Sequence, residues 1–326
     1  MPSFAELSSD FLDAEFAESP VRASGLGLTE FDERLDDLSE AAFERRRKSD
    51  ADWLERFRAV DEGSVGFDEL IDRDLVVSIL RGRQIVEDFE VWRRQPDTYL
   101  NPGMTGIFSL FLHRLRPMEE LVAAAVARMR LIPGNLGDGM RNLRPDMVPE
   151  IFLDRAANQA RAGARYVREI LPAQVDDAAL RARLAEAGEA TASAYEGYVA
   201  FLEEMRPNAT GEWMLGEERY SALLREKELL GFGARELRDR GQAAYDELAA
   251  ELTRCARELR GTDDWKSVLD ELNDDHPRTP EEMRAGYEDW TERARVYLRE
   301  QALVSFPDGE ECAVVPSPPF QRPVLA

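Results

Sequence analysis

Apolar residues recur along this chain with a helical period almost from end to end. Phe4, Leu7, Phe11 and Leu12 follow the i, i+3, i+7, i+8 spacing of one helix face, and Ser3 with Glu6 supplies a capping box at its start. Pro20 closes that element. After a looser stretch holding Gly25 and Gly27, charged helical patterns run from about Asp37 to Asp61 and from Asp68 to Trp92, with a break at Gly63 to Gly66. Pro96 to Gly103 reads as a loop, and two short helices follow. The second has Pro117 in its first turn and Glu119 and Glu120 at the positive end of its dipole. The segment Leu131 to Pro145 is rich in Gly, Asn and Pro and reads as a break. Beyond it Val148, Ile151, Phe152, Ala156, Ala160, Ala164, Val167 and Leu171 keep one face of a long helix apolar, as far as Pro172.

From about Asp177 to Met205 the pattern is again helical and rich in alanine, which permits close packing. A further helix places Leu237, Tyr245, Leu248, Leu252, Cys255 and Leu259 on one side. Thr279-Pro280-Glu281-Glu282 combines an N-cap, a first-turn proline and a capping glutamate, and starts a helix with Met283, Tyr287, Trp290, Ala294 and Tyr297 as its expected buried stripe. Only Ala313 to Val315 suggests a strand, and Pro316, Pro318, Pro319 and Pro323 then punctuate an extended tail. The expected fold class is therefore all-α: a multi-helix domain over residues 1–312, at most one short strand near its C-terminus, and a proline-rich tail over 313–326.

Composition narrows the partners. Apolar residues make up 44% of the 326 positions and charged residues 33%, a globular balance. The formal net charge of −23 repels phosphate backbones and anionic lipid surfaces, which argues against nucleic acid and membrane as partners. Five carboxylates within the first twenty residues leave no room for a secretory signal, and the longest apolar run, Leu121 to Ala127, is far too short to span a bilayer; a cytoplasmic protein is expected. Cys255 and Cys312 are too few and too isolated for a disulfide framework or a metal knuckle.

The candidate chemistry is thin. Gly134-Asn135-Leu136-Gly137-Asp138-Gly139 lacks the order, the G-K-S/T ending and the preceding strand of a nucleotide loop, so a helix-breaking turn is the better reading. The basic run Arg45-Arg46-Arg47-Lys48 is neutralised at helical spacing by Glu40, Glu44, Asp50 and Asp52, which describes a solvated face. Paired carboxylates at Glu119/Glu120, Glu217/Glu218, Glu281/Glu282 and Glu310/Glu311 suit helix starts and surfaces. His113 and His276 are the only histidines; neither has a glutamate three residues before it or a second histidine nearby, so no local metal or triad motif forms around them. Neither G-x-S-x-G nor S-x-x-K occurs. The most distinctive stretch is Gly211 to Leu224, in which Gly211 and Gly216 bracket a turn and Glu217 and Glu218 open a helix carrying Tyr220, Leu223 and Leu224.

That stretch resembles the bacterial family called domain of unknown function 885 (DUF 885), whose members look like zinc metallopeptidases. The resemblance extends in order through Arg130 to Pro133, Asn142 to Pro145, the helix to Leu171, then Gly211, Gly216, Glu217, Tyr220 and Leu224, the helix at Glu236 to Gly241, and Val314-Val315-Pro316. It implies a helical body forming the N-terminal wall of a zincin-like substrate cleft. The family's H-E-x-x-H motif lies in a C-terminal half, downstream of a segment like the tail here, so the resemblance carries no catalytic or metal residue onto this chain and zinc is expected only in a longer family member. Trp213, Glu217 and Tyr220 are the candidate substrate-facing residues by position. Two readings stand: the non-catalytic N-terminal portion of a peptidase-like protein, acting on a peptide when completed and prone to self-associate without its other half, or a helical interaction or scaffold module.

Overall fold

The computed structural model describes residues 3–317, and the described chain is all-α. It divides into two compact units, the first reaching Ala234 and the second covering Arg235–Ser317.

The first unit holds α1 (Phe4–Glu18), α2 (Pro20–Gly25), α3 (Glu40–Arg58), α4 (Phe67–Glu87), α5 (Val91–Arg94), α6 (Asn101–His113), α7 (Met118–Asn142), α8 (Glu150–Arg165), α9 (Leu171–Ala173), α10 (Ala178–Met205) and α11 (Glu217–Glu226). The Ser3–Glu6 capping box forms as the spacing predicts, and Gly63 to Gly66 does separate α3 from α4. Two apolar clusters organise this unit. The larger one gathers α6, α7, α8 and α10 around Met104, Ile107, Met129, Ile132, Ala160, Tyr195 and Tyr198. The smaller one packs Leu7 and Phe11 of α1 against Leu54 and Phe57 of α3 and Leu80 of α4. Phe11 meets both Trp53 and Phe57 edge to face at ring centroid distances of 5.4 Å, a geometry that favours aromatic pairs.

Leu131 to Pro145 does not break the chain. α7 runs straight through Pro133, Gly134, Gly137 and Gly139 as far as Asn142, and tertiary contacts explain why. Proline at 133 removes the N–H that would have bonded the Met129 carbonyl one turn earlier. The hydroxyl of Thr191 on α10 lies 3.2 Å from that carbonyl and supplies a donor. Down the same helix, Arg128, Asn135 and Asn142 recur at heptad spacing and therefore share a face. Arg128 donates to the carbonyls of Phe31, Arg34 and Gly106, Asn135 to that of Asp36, and Asn142 to that of Leu38. This polar stripe holds the non-helical segment between residues 31 and 38, whose carbonyls would otherwise be buried without donors.

The predicted loop from Pro96 to Gly103 is also more ordered than expected. Pro96–Tyr99 forms a 3-10 turn and Asn101 already begins α6. Tyr99 donates its hydroxyl to the Trp92 carbonyl at 2.5 Å, and Tyr198 donates to the Pro96 carbonyl at 2.9 Å, so both phenols are spent on fixing this turn.

The second unit contains α12 (Ala234–Arg260), α13 (Trp265–Asn273) and α14 (Pro280–Glu300), the last capped by Thr279 as its sequence signal predicts. Here the structure corrects the burial expected from periodicity. The apolar stripes are present but face solvent: Leu259 is 63% exposed, Tyr287 62% and Trp290 64%, with Tyr245, Leu248, Leu252, Met283 and Tyr297 also exposed. Ala256 and Val268 are the buried apolar residues of this unit. Residues 313–317 form no strand, within the expectation of at most one short strand there, and the rest of the predicted tail lies outside the described residues.

Candidate functional site

The most distinctive segment of the sequence is built by two glycines. Gly211 brings its backbone against the loop before α8, where its N–H donates to the Val148 carbonyl at 3.0 Å and Thr210 donates to Pro145 at 3.2 Å. A Cβ at 211 would lie 2.0 Å from the Met147 carbonyl oxygen, so only glycine allows this approach. Gly216 adopts φ 87° and turns the chain into α11. Glu217 and Glu218 then occupy the first turn, at the positive end of the helix dipole.

Of the three candidate residues, Glu217 lines a hollow of about 470 Å³ with Ile85, Asp88, Leu215, Gly216, Arg219 and neighbouring atoms of α11. Trp213 lies outside that lining and is 63% exposed; Tyr220 is also outside it and exposed. The three are thus not gathered on one concave surface. Arg219 lies over the Phe89 ring at 5.7 Å while Arg94 lies over the same ring at 4.1 Å, and Arg81 of α4 pairs with Glu226 through Nε at 2.6 Å. These contacts fasten α11 onto the C-terminal half of α4.

A second cavity, of about 520 Å³, opens between α1, α3 and α4, with Lys227 also in its lining. Two of its charged residues, Arg46 and Asp50, come from the face of α3 that also carries aromatic rings. Phe43, Arg46, Asp50, Trp53 and Phe57 recur along α3 at i, i+3, i+7, i+10 and i+14, so two charged groups sit within an aromatic stripe. Arg83 of α4 donates to Glu15 at 2.7 Å and to Asp50 at 3.2 Å. The carboxylate of Glu15 raises the pKa of Arg83 and keeps it a cation. Arg46 donates to the Asp37 carbonyl at 2.8 Å and lies over Phe43 at 4.5 Å, and burial pulls its pKa down. Burial pushes the carboxyls of Asp50 and Glu87 up from their ordinary range, while the nearby Arg83 and Arg47 act against it.

The basic run 45–48 is therefore not one solvated face. Its partners are Glu18 of α1 for Arg45 and Asp88 beyond α4 for Arg47, not the helical neighbours that sequence spacing offered. The signal that identifies this cavity in the sequence is the interleaving of Arg46 and Asp50 with Phe43, Trp53 and Phe57. The louder run of like charge obscures it.

His113 is the last residue of α6, and His276 lies in an exposed bend before α14, with Nδ1 2.8 Å from the Pro277 carbonyl. Cys255 and Cys312 are free thiols. Among the described residues no three His, Cys, Asp or Glu side chains come together in a group that could hold a metal ion, so the residues present do not fit the zinc site that the resemblance implies for longer proteins. No described helix is long and apolar enough to cross a membrane.

Comparison with known proteins gives two matches of different kinds. The chain superposes on "a putative lipoprotein of unknown function" from Shewanella oneidensis with a TM-score of 0.71 at 18% identity, covering 94% of this chain and 59% of that one. That likeness is one of fold, and this chain spans about three fifths of the length of the structure it matches. No curated protein matches. Residues 20–326 match the family described as bacterial protein of unknown function (DUF885), so nearly the whole sequence is family sequence, and the chain belongs to the DUF885 family.

Proposed function

We propose that this chain supplies the N-terminal, non-catalytic portion of a larger DUF885 protein, and that the larger protein is a zinc-dependent peptidase whose metal residues lie in the part this chain does not contain. The observation that carries the reading is the pair of exposed apolar stripes on α12 and α14. Contiguous apolar surface on a helix that is otherwise regular marks a face meant for a partner. The 59% coverage of the matched structure supports it, since a fold of that kind has further chain with which to cover such a face. In this reading Trp213, Glu217 and Tyr220 belong to the wall that faces a peptide, and the peptidase chemistry rests on the family resemblance.

The test is made on the purified chain. Elemental analysis is expected to give zinc well below one equivalent, and sedimentation is expected to show self-association that persists in high salt, as apolar contacts do. Stoichiometric zinc bound by the chain alone would overturn the proposal. A second reading, a helical binding or scaffold module, is favoured by the first unit, which buries two apolar clusters of its own. A salt-independent monomer with one cooperative melt would favour that module instead.

A further inference from the structure

The cavity between α1, α3 and α4 has a charge pattern that specifies a ligand class, and this inference stands apart from the peptidase reading. Four cations and four carboxylates line it: Arg46, Arg47, Arg83 and Lys227 against Glu15, Glu18, Asp50 and Glu87. Two of the cations are committed to acids outside the lining, Arg47 to Asp88 at 3.1 Å and Lys227 to Glu228 at 2.6 Å. Arg83 is shared by Glu15 and Asp50, and Arg46 reaches Glu18 at 3.8 Å. Glu18 is held from outside the lining by Arg45 at 3.0 Å, so two lining cations face the three remaining lining carboxylates. Glu87 is the one left over: among the described residues it makes no direct ion pair, and Arg47 and Arg46 act on it only from further away. A half-buried carboxylate with no direct ion pair is costly, and a cation that enters the cavity reduces that cost.

Anions meet the opposite situation. Arg83 already spends both terminal nitrogens on carboxylates, and Arg46 spends one on the Asp37 carbonyl while its plane covers Phe43. An anion would have to displace fixed carboxylates to reach Arg83, and a backbone carbonyl to reach the engaged nitrogen of Arg46. Between the charged groups lie Ile79, Val86, Phe43 and Trp53, which offer apolar surface to a short hydrocarbon. The volume of about 520 Å³ falls in the range of small-molecule sites. We propose that this cavity binds a small organic cation, a primary ammonium or guanidinium compound with a short aliphatic body, its charged head against Glu87 and Asp50 and its body along Ile79, Val86 and the edges of Phe43 and Trp53.

The experiment uses the full chain and four probes of matched length: pentylamine, pentylguanidine, pentanol and pentanoate. Calorimetry and thermal shift at neutral pH are expected to show saturable binding of the two cations with Kd about 1 mM or tighter, within reach of a ligand this small. Pentanol and pentanoate are expected to show none. Glu87→Gln keeps the shape and removes the charge, and is expected to weaken cation binding at least ten-fold; Glu55→Gln, on the exposed side of α3, is expected to leave it unchanged. Tryptophan fluorescence on the unaltered chain, with the signal lost in Trp53→Phe, reports occupancy even if a charge variant fails to fold. Failure of either cation to saturate at about 50 mM, pentanoate binding more tightly than pentylamine, or equal affinity in Glu87→Gln would each overturn the proposal.

Discussion

The Thr191 hydroxyl stands 3.2 Å from the Met129 carbonyl, the one acceptor in α7 that Pro133 deprives of its helical donor. The same hydroxyl lies 2.9 Å from the Ala187 carbonyl, so its single hydrogen is shared along α10 and across to α7. Thr191 is buried, and Thr191→Val therefore leaves a buried carbonyl unpaired at a cost of about 1–2 kcal/mol. In a Pro133→Ala background the helix regains its own N–H, and the same substitution is expected to cost less than half as much. Urea denaturation of the four proteins in this cycle measures the coupling, and additive effects would contradict the assignment.

Much of the helical frame is legible because its signals are local. Ser3 and Glu6 lie within one turn of each other, as do Thr279 and Glu282, and both caps form as written. Pro133, Gly134, Gly137 and Gly139 mislead for the opposite reason. Their local preference is a break, and contacts from Thr191 and the Arg128–Asn135–Asn142 stripe to distant backbone outweigh it. The stripes on α12 and α14 are read correctly as stripes, but periodicity reports only that apolar residues share a face and is silent on what covers it. The cavity at Arg46 and Asp50 is hidden from local patterns because its partners, Glu15, Glu18, Arg83 and Glu87, come from α1 and α4.

Arg128 is fully buried and donates to three carbonyls, with burial drawing its pKa down to about 10. It remains charged at neutral pH, with Asp32 and Asp36 as its nearby carboxylates. Arg128→Met is expected to destabilise by about 3 kcal/mol or more, since it strands those acceptors and both acids. Arg128→Lys is expected to recover only part of the loss, because an ammonium cannot span the same fork of acceptors. Chemical denaturation of the two variants checks the order.

Gly211 and Gly197 make a contrasting pair. Gly211→Ala places a methyl against the Met147 carbonyl and is expected to cost about 1–3 kcal/mol, with faster proteolysis around residues 209–216. Gly197 is exposed within α10 and a Cβ there meets nothing within 4 Å, so Gly197→Ala is expected to stabilise by about 0.5–1 kcal/mol. Melting and limited proteolysis read both, and equal effects would refute the close approach at 211.

Glu87 titrates among Arg46, Arg47 and Asp50 of α3 with the Trp92 side chain beside it, and burial raises its pKa. The folded chain then holds a proton over a pH window in which the unfolded chain has lost it. Stability is lost as pH rises through that window, from the ordinary glutamate range to the raised value. Glu87→Gln removes the ionised form and is expected to raise Tm at neutral pH, with the gain vanishing below the ordinary carboxylate range. Melting curves of both proteins from about pH 3.5 to 8 decide it; a gain independent of pH would show that some other contact is responsible.

The exposed faces of α12 and α14 separate the chain's own stability from its assembly. Tyr287 and Trp290 contribute little burial where they stand, so Tyr287→Glu with Trp290→Glu is expected to change unfolding free energy by less than about 0.5 kcal/mol per site. Were these rings packed in a core, replacing each by a charge would cost several times more. The same double variant is expected to abolish salt-resistant self-association, because two aromatic anchors give way to like charges on one helix face. Denaturation and sedimentation velocity on one preparation read the two quantities together. Loss of stability with unchanged association would mean that α14 is already covered within the chain, whereas loss of association alone is what an open docking face requires.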